Sequence, residues 1–187
     1  VARRAIEAGA AIAYVNLVGG QDELVFDGDS LVVTADGSVI SRAPLWEQGL
    51  IAVDLDLPTA SSDLVGDVDA KDGTTMHVDR VVLAEEPVPP YPPLVAGVAA
   101  RLSDEAELWG ALVTATRDYV DKNGFRSVVI CLSGGIDSAV VATIAADALG
   151  PDRVHVVGMP SAWSSQGSVD DARALAELQG LHWDLIS

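Results

Sequence analysis

The sequence has 187 residues, and its 28 Asp and Glu against 11 Lys and Arg give a formal net charge of −17. A surface this acidic lacks the positive patches that bind nucleic acid or anionic lipid, so we expect neither as a partner. Apolar residues make up 49% of the chain, enough for a packed core, and no apolar run approaches the roughly 20 residues of a membrane span. Cys131 is the only cysteine, which excludes an internal disulfide. Together these features predict a globular, cytoplasmic protein.

Both ends of the sequence are typical of a piece of a longer protein. The chain opens on Val1 in helix-like sequence, and residues 183–187 resemble a strand without a turn or cap after it. We therefore expect the natural protein to continue beyond both ends.

The first part of the chain is predicted to be rich in β-strands. Asp36-Gly37 stands between two apolar runs and is the strongest short signal for a β-hairpin. Gly19 and Gly20 follow another apolar run and favour a sharp change of direction. Residues 59–75 are small and acidic, which predicts an exposed excursion. The predicted elements are a helix over residues 1–8 and strands over 11–17, 30–34, 39–42, 51–57 and 78–83, with Asp54 and Asp56 on the wet face of the 51–57 strand.

A proline-rich stretch separates this part from the next. Residues 87–93, with the sequence Pro-Val-Pro-Pro-Tyr-Pro-Pro, favour an extended and stiff conformation that fits neither a helix nor a central strand. We therefore predict one domain over residues 1–86, a linker over 87–103 and a second domain over 104–187.

The second part alternates between helix and strand. Apolar residues from 108 to 119 repeat every three or four positions, and Asn123-Gly124 ends the run, which predicts a helix of about five turns. Asp104 and Glu107 fit a capping box at its start. The other predicted elements are strands over 128–132, 154–158 and 181–186 and helices over 139–149 and 168–178, the first of these helices buried through Val141, Ile144, Ala145 and Ala148. This alternation predicts an α/β fold with a doubly wound parallel sheet.

One loop of this part has the composition of a phosphate site. Ser133-Gly134-Gly135-Ile136-Asp137-Ser138 lies between a predicted strand and the start of a helix, where free N–H groups and the helix dipole attract anions. The glycines let the backbone approach phosphate oxygens, and Ser133 and Ser138 add hydroxyl donors. Asp137 would repel a bare triphosphate, so its presence indicates a bridging Mg²⁺. The loop lacks the Lys of a Walker loop, and its adjacent glycines do not fit a dinucleotide fingerprint.

This loop resembles the pyrophosphate loop of the ATP pyrophosphatases, which include NAD synthetase, GMP synthetase, asparagine synthetase, argininosuccinate synthetase and tRNA-thiolating enzymes. The alternative is a tight strand-to-helix turn, which would require small residues but not Asp137 between two serines. The resemblance implies that ATP binds here with Mg²⁺ and that Asp137 is a metal ligand. The implied ATP-binding residues are Cys131, Leu132, Ser133, Gly134, Gly135, Ile136, Asp137 and Ser138.

Further stretches are similar to glutamine-dependent NAD synthetases. Residues 118–125 before the loop, and 157–161 with Ser164 and Ser165 after it, resemble the flanks of their synthetase domain. Residues 14–30 resemble the late portion of a nitrilase-type glutaminase domain and include its aromatic-x-Gly-x-Ser element at Phe26, Gly28 and Ser30. The resemblance implies the C-terminal part of a nitrilase-like αββα domain followed by the first units of an adenine nucleotide alpha hydrolase-like domain.

The family resemblance also implies an activity. Its members hydrolyse glutamine in one domain and pass ammonia to the other, where ATP activates deamido-NAD and the products are NAD, AMP and pyrophosphate. Deamido-NAD and glutamine or ammonia are thus the implied substrates, and the full-length enzyme is expected to be a homo-oligomer. The resemblance places the Glu-Lys-Cys triad of the glutaminase before Val1. It therefore assigns no catalytic residue to this chain, which we expect to be inactive alone.

Two other functions stay open at this point. Another ATP pyrophosphatase, such as GMP synthetase or a tRNA-thiolating enzyme, would carry the same loop. The nitrilase-like part argues against the former, and the acidic composition argues against the latter. The chain is alternatively a catalytically inactive nucleotide-binding or structural module.

Several other residues have a functional and a structural interpretation. Cys131 lies in the strand before the loop, which favours a buried core cysteine over a nucleophile. Asp22 and Glu23 follow two glycines and either line a glutamine pocket or are solvated loop acids.

The remaining candidates are serines, histidines and tryptophans. Ser161, Ser164 and Ser165 follow a predicted strand and either contact adenosine or cap a helix. The histidines are far apart in sequence and show no metal-ligand spacing, and the tryptophans are assigned to core contacts. These residues are His77, His155 and His182, and Trp109, Trp163 and Trp183.

Overall fold

The computed structural model describes residues 1–57, 65–81, 86, 89–94 and 97–186. The chain divides into two compact units, one formed by Val1–Ile51 with Gly97–Ser187 and the other by Ala52–Ala96. The larger unit therefore contains both the β-rich beginning and the alternating second part of the sequence. Within the described residues, no helix is long and apolar enough to cross a membrane.

The beginning of the larger unit is a short helix on an antiparallel sheet. Its elements are α1 (Ala2–Ala8), β1 (Ile12–Tyr14), β2 (Val18–Gln21), β3 (Leu24–Asp27), β4 (Leu31–Val33) and β5 (Val39–Arg42). The sheet has the order β1-β4-β5, and Ala5 of α1 is buried against Leu31 and Val33 of its central strand. The pairing of β4 with β5 confirms the hairpin predicted around Asp36-Gly37.

A second hairpin, formed by β2 and β3, corrects the expectation of a turn at Gly19 and Gly20. Both glycines lie inside β2 and pair with β3. The turn instead consists of Asp22 and Glu23. Asp22 has a φ of 51°, a left-handed conformation that Asp tolerates better than most residues. The absence of side chains at these two glycines instead lets a helix of the second part of the chain cross β2 at close range.

A buried ion pair fixes the end of β5. Arg42 is 8% exposed, and its guanidinium donates hydrogen bonds to both carboxylate oxygens of Asp29. The hydrogen bond to Asp29 raises the pKa of Arg42, so this buried guanidinium stays charged. The backbone of Arg42 also holds the chain that follows the proline-rich stretch. Its N–H donates to Gly97 O at 3.0 Å, and its carbonyl accepts from Ala99 N–H at 3.1 Å.

In its described part, the smaller unit contains an antiparallel hairpin of β6 (Gly66–Asp69) and β7 (Thr75–Val78). The strand predicted over 78–83 is thus misplaced, because the pairing segment lies earlier in the chain. The excursion predicted over 59–75 contains β6, and its described residues, 65–75, are exposed or half-buried, as that prediction requires. Parts of these predictions and of the proline-rich stretch, at residues 58–64, 82–85, 87–88 and 95–96, lie outside the described residues.

The strand predicted over 51–57 is wrong, since these residues have no strand structure. Asp54 accepts hydrogen bonds from Tyr91 Oη and from Leu94 N–H, each at 2.9 Å. An acid that was assigned to the wet face of a strand therefore binds the chain at the end of the proline-rich stretch. The alternation of acidic and apolar residues over 51–57 therefore does not mark a paired strand.

The second part of the larger unit has the predicted alternation. Its elements are α2 (Asp104–Lys122), β8 (Val128–Cys131), α3 (Ile136–Leu149), β9 (Val154–Gly158), α4 (Gln166–Gln179) and β10 (His182–Leu185), with a 3-10 turn at Pro151–Arg153. The strands are parallel in the order β10-β9-β8, which confirms the predicted start of a doubly wound sheet. Alanines of α3 and α4 pack on the fully buried Val154 and Val156.

The start of α2 differs from the prediction. Ser103 is the N-cap residue, and its hydroxyl accepts a hydrogen bond from Ala106 N–H at 3.3 Å. Asp104 is therefore the first residue of the helix, and the predicted capping box with Glu107 does not form. Both acids still lie in the first turn, where a negative charge interacts favourably with the helix dipole.

α3 begins three residues earlier than predicted, because Gly135 has the extended conformation of an N-cap residue. The face of α3 that is buried also differs from the prediction. Val141 is 52% exposed, and Ala142, fully buried, takes the place that Val141 was expected to have. Ala142 and Ala145 are three residues apart, so they lie on the same face of the helix against the sheet.

Cys131 is exposed, which corrects the expectation of a buried core cysteine. Val128 and Ile130 pack against the core, so the alternation of a strand turns Cys131 to the other face of the sheet. His155 and His182 are opposite each other in β9 and β10, and their rings stack with centroids 4.5 Å apart. Their separation in sequence had suggested no such contact, but the parallel register brings them together.

α2 packs against the first part of the larger unit through Trp46. The indole lies over Gly110 so closely that a Cβ at Gly110 would be 2.3 Å from Trp46 Nε1. Trp46 has a φ of 64°, a conformation that is uncommon and strained for an aromatic residue. This contact joins the segment after β5 to a helix of the second part, which the sequence alone had placed in separate domains.

Replacing Gly110 with Ala is expected to destabilise the protein, although Ala is the better helix former. The added methyl group overlaps the ring of Trp46, and overpacking of this kind costs roughly 1–3 kcal/mol. Gly167 is a matched control, because it is also helical and the nearest atom to its Cβ would be Ser165 Oγ at 3.9 Å. Gly167→Ala should stabilise the protein by about 0.5–1 kcal/mol. Thermal unfolding of both variants tests this, and a raised midpoint for Gly110→Ala would contradict the contact with Trp46.

Candidate functional site

The predicted phosphate loop connects β8 directly to α3. Leu132 is buried at its start, Gly134 has a φ of 79°, and Gly135 is the N-cap residue of the helix. Because Gly135 has no side chain, it provides no cap for the N–H groups of the first turn. These donors and the positive end of the helix dipole are available to an anion.

The two serines of the loop bind each other across it. Ser133 Oγ and Ser138 Oγ are 3.1 Å apart, and Ser138 Oγ also accepts from Ser133 N–H at 3.2 Å. The Ser138 hydroxyl donates to Gly135 O at 3.0 Å. These hydroxyls were predicted as donors to phosphate, whereas the structure gives Ser138 the additional role of bracing the turn.

Gly134 lies against the beginning of α4. A Cβ at this position would be 2.2 Å from the carbonyl oxygen of Ser168, and the positive φ is itself unfavourable for other residues. Ser168 is held by Ser165, the N-cap residue of α4, whose Oγ accepts from Ser168 N–H at 3.2 Å. α4 therefore starts at Gln166 rather than at the predicted residue 168. Ser165 has the helix-capping role that was one of its two interpretations.

A small cavity of about 70 Å³ lies beside the loop. It is formed at the carboxyl ends of β8 and β9, the edge of a parallel sheet where ligands bind in open α/β folds. A cavity of this size encloses only part of a nucleotide, so most of such a ligand would lie outside it. Its lining residues are Leu132, Ser133, Gly158, Met159, Pro160, Ser164, Ser168, Val169 and Trp183.

Asp137 is exposed in the first turn of α3. Within the described ranges, no group of three or more His, Cys, Asp or Glu side chains is arranged to hold a metal ion. Magnesium does not require such a cage, because it commonly binds through one or two carboxylates together with phosphate oxygens and water. An exposed carboxylate beside a phosphate loop fits this mode of binding.

Positive side chains are not part of the loop. No Lys or Arg occurs between Arg126 and Arg153 in the sequence. Arg153 is used elsewhere: it donates to the carbonyl oxygens of Phe125 and Arg126 and pairs with Asp121, all at 2.9 Å. It joins the end of α2 to the start of β9. The donors that the loop itself offers to an anion are thus backbone N–H groups and hydroxyls.

The structure separates the other predicted residues into different regions. Asp22 lines a cavity of about 310 Å³ between the β2–β3 turn and α2, while Glu23 is the second residue of that turn. His77 binds Asp67, with Nδ1 2.6 Å from Oδ1. Ser164 lines the cavity beside the loop, and its Oγ accepts from Ser161 N–H at 3.0 Å.

The tryptophans only partly follow the expectation of core contacts. Trp109 donates to Asp147 at 2.9 Å, and Trp183 packs against the core and lines the cavity beside the loop. Trp163 is 94% exposed, which contradicts the prediction for this residue. The contributions of Trp183, Met159 and Ser168 to the cavity were not predicted, because they depend on how α4 and β10 meet β9. Their positions near strand and helix ends were the only sequence signal.

Two family models match the chain. The model described as NAD synthase matches residues 108–187, and that described as carbon-nitrogen hydrolase matches residues 1–63. The interval between them includes the proline-rich stretch and both predicted domain limits, so these limits stay a prediction.

Similar proteins share most of this sequence. Glutamine-dependent NAD(+) synthetase from Aquifex aeolicus is 42% identical over 175 residues, and that from Thermotoga maritima is 45% identical over 180 residues. Each alignment covers 94% of this chain and 31% of the relative. The structure of glutamine-dependent NAD+ synthetase from Acinetobacter baumannii in complex with ADP has a TM-score of 0.74 at 34% identity, covering 98% of this chain and 29% of that protein.

The chain thus spans about three tenths of the length of these relatives. Its two parts match two different domain types, in the order that the sequence motifs predict: a nitrilase-like part followed by the start of an adenine nucleotide alpha hydrolase-like part. The chain therefore belongs to the glutamine-dependent NAD(+) synthetase family.

Proposed function

We propose that the whole protein containing this chain converts deamido-NAD to NAD, using ATP and glutamine-derived ammonia and releasing AMP and pyrophosphate. The loop between β8 and α3 carries the proposal, because its uncapped helix start leaves donors for phosphate oxygens. The relatives from A. aeolicus and T. maritima are glutamine-dependent NAD(+) synthetases, and the relative from A. baumannii binds ADP. These likenesses support both the reaction and the nucleotide.

In this proposal the loop holds the β- and γ-phosphates of ATP. The backbone N–H groups at Ile136 and Asp137 bind phosphate oxygens, and Gly134 keeps the turn close to α4. A carboxylate oxygen of deamido-NAD forms a bond to the α-phosphorus, and the bond from that phosphorus to the bridging oxygen breaks to release pyrophosphate. Ammonia then attacks the activated carbonyl carbon, and AMP leaves with the carboxylate oxygen.

Asp137 is the residue we propose as the protein ligand of Mg²⁺. The ion would neutralise charge on the phosphates when bound. The chain's own contribution is to hold a carboxylate next to the loop, at a place where this acid would otherwise repel ATP. Cys131 and Leu132 would act through their backbone at the end of β8, since the side chain of Leu132 is buried in the core.

The positions of the Lys and Arg side chains relative to the loop support cleavage of ATP at the α-phosphorus. Transfer of the γ-phosphoryl group is usually assisted by a Lys in the phosphate loop or by an Arg directed at the γ-phosphate. This loop contains neither, and Arg153 is engaged by Asp121 and two backbone carbonyls. Backbone dipoles and one metal ion suit the fixing of a leaving pyrophosphate better than the transfer of its terminal phosphate.

Ser164 and the cavity that it lines are proposed to contact the adenosine of ATP. Their place at the carboxyl ends of β8 and β9, next to Ser133, supports this assignment. Ser161 would act through its N–H, which donates to Ser164 Oγ at 3.0 Å and so helps to fix that hydroxyl.

The finer features of the whole protein are proposals as well. We place the domain limits at residues 86 and 104, on either side of the linker, and expect a cytoplasmic homo-oligomer. Another ATP pyrophosphatase such as GMP synthetase is not favoured, because residues 1–63 match the carbon-nitrogen hydrolase family.

The reaction predicts which products accompany NAD. The full-length protein, given ATP, deamido-NAD, Mg²⁺ and ammonium, should form AMP and pyrophosphate in equal amounts with NAD. Oxygen-18 placed in the nicotinate carboxylate should appear in AMP, because that carboxylate attacks the α-phosphorus. Mass spectrometry of the nucleotides measures both. Formation of ADP and phosphate in step with NAD would contradict the proposed role of the loop.

Replacing Asp137 with Ala in the full-length protein should lower ammonia-dependent NAD synthesis by roughly 10²-fold or more, since a positioned charge is lost from the transition state. The apparent affinity for Mg²⁺ should fall as well, while glutamine hydrolysis by the folded protein persists. Asp152→Ala is the control, because Asp152 is also an exposed acid near a helix start but lies after α3. Normal NAD synthesis by Asp137→Ala would mean that the loop is only a turn.

The glycines of the loop are expected to differ in their tolerance of Ala. Gly134→Ala should abolish ATP binding or loosen the start of α4, because its Cβ would be 2.2 Å from Ser168 O. Gly135→Ala keeps the N–H donor, and its Cβ would be 3.4 Å from Ser133 Oγ, a contact that small shifts relieve. Equilibrium binding of ATP to both full-length variants, with thermal unfolding alongside, tests the difference. Equal affinities in the two variants would contradict the contact between the loop and α4.

A further inference from the structure

The outer edge of β2 is bound by side chains of α2. In the β2–β3 hairpin, the N–H and C=O of Gly20 point away from β3 and need other partners. The Asp118 carboxylate accepts from Gly20 N–H at 2.8 Å, and the Lys122 ammonium donates to Gly20 O. Asp118 and Lys122 are four residues apart on α2, and their charged groups are 3.5 Å from each other. We refer to Gly20, Asp118 and Lys122 as the Gly20 clamp.

This crossing favours glycine in β2. A Cβ at Gly20 would lie 3.3 Å from Ala115 Cα, and a Cβ at Gly19 would lie 2.6 Å from Asp118 Oδ2. Gly19 also has a φ of 127°, which few other residues adopt. Residues 14–30 and 118–125, whose resemblances pointed to two different domain types, therefore meet through the side chains of Asp118 and Lys122, where the backbone of Gly20 passes close to α2.

The environment of Asp118 keeps the clamp charged. Its side chain is 18% exposed, and Arg117 Nε lies 3.2 Å from its Oδ1. Burial acts to raise the pKa of Asp118, but the hydrogen bond from Gly20 N–H and the charges of Arg117 and Lys122 together hold it below its ordinary value. The hydrogen bond to Gly20 is therefore charge-assisted, which makes it stronger than one between neutral groups.

The clamp borders a cavity at the β2–β3 turn, and its helix, α2, contacts α3. On one side, Asp22 of the β2–β3 turn and the two side chains of the clamp line the cavity of about 310 Å³. On the other side, α2 is joined to α3 by the hydrogen bond from Trp109 to Asp147, and α3 begins at the phosphate loop. The clamp thus joins the hydrolase-like part to a helix that contacts the last turn of α3, the helix that follows the phosphate loop.

We propose that the Gly20 clamp is a positioning contact that seats the carbon-nitrogen hydrolase part on the NAD synthase part, so that ammonia formed in one reaches the other. This inference rests on the proposed function, since it concerns delivery of the ammonia that the reaction consumes. If the Gly20 clamp is broken, the two parts are held less firmly and ammonia escapes to water. More glutamine is then hydrolysed for each NAD that forms. Asp118 and Lys122 act on position only and touch no reacting atom.

The test compares two nitrogen sources in the full-length protein carrying Asp118→Ala or Lys122→Ala. With glutamine, the ratio of glutamate formed to NAD formed should rise by roughly three- to tenfold, as expected for the loss of one partly exposed charge-assisted hydrogen bond. With saturating ammonium chloride, NAD synthesis should stay within about twofold of the unmodified protein, because the phosphate loop is unchanged. Asp118→Asn keeps an acceptor for Gly20 N–H and should give an intermediate ratio.

Tyr119→Phe is the matched control, because Tyr119 lines the same cavity but is not part of the clamp. Its ratio of glutamate to NAD should not change. An unchanged ratio in Asp118→Ala, with normal NAD synthesis, overturns the inference alone. Equal loss of both activities in Asp118→Ala also overturns it, because the clamp would then serve folding only. If the unmodified protein makes no NAD from ATP, deamido-NAD and ammonium, the proposed function itself fails.

Discussion

The close approach of two backbone segments, at Gly134 and at the carbonyl of Ser168, constrains the rest of the proposed nucleotide site. A turn without a Cβ at this point lets the chain leave β8 and enter α3 within a few residues, directly beside the start of α4. The helix therefore begins at Ile136 with a glycine as N-cap residue, and its first N–H groups have no side-chain partner there. The proposed phosphate site is thus a result of how two helices and a strand fit together.

The acidic character of the chain determines how such a site works. The 187 residues carry a formal net charge of −17, which acts to repel a triphosphate at long range, and the loop contains no cationic side chain to offset this. Arg153 and Arg42 do not help, because each is bound to an acid and to neighbouring chain segments. Within this chain, the dipole of α3 and the divalent cation of our proposal are then the sources of attraction next to the loop, and both act at short range.

The sequence correctly predicted features that depend on residues close together in sequence. Most of the errors concern contacts between residues that are far apart in sequence. The loop between β8 and α3, the parallel strands and the hairpin at Asp36-Gly37 follow from local periodicity and turn composition. Gly19 and Gly20 were interpreted as a turn, since nothing nearby indicates that Ala115 and Asp118 will lie above them. The exposure of Cys131 likewise depends on which face of β8 meets the core. The strand has apolar residues on both faces, so its sequence does not indicate which face is buried.

The same long-range contacts change the meaning of the domain boundary. One family model matches the chain up to residue 63 and a different one matches it from residue 108. The structure nevertheless groups residues 1–51 and 97–187 into one compact unit. α2 is the reason: Gly110 contacts Trp46 and Asp118 contacts Gly20, while Trp109 contacts Asp147 of α3. A helix that belongs by sequence to the synthase part therefore also completes the edge of a hydrolase-type hairpin. Two parts that match different family models can in this way share one helix, and the stability of each part then depends on the other.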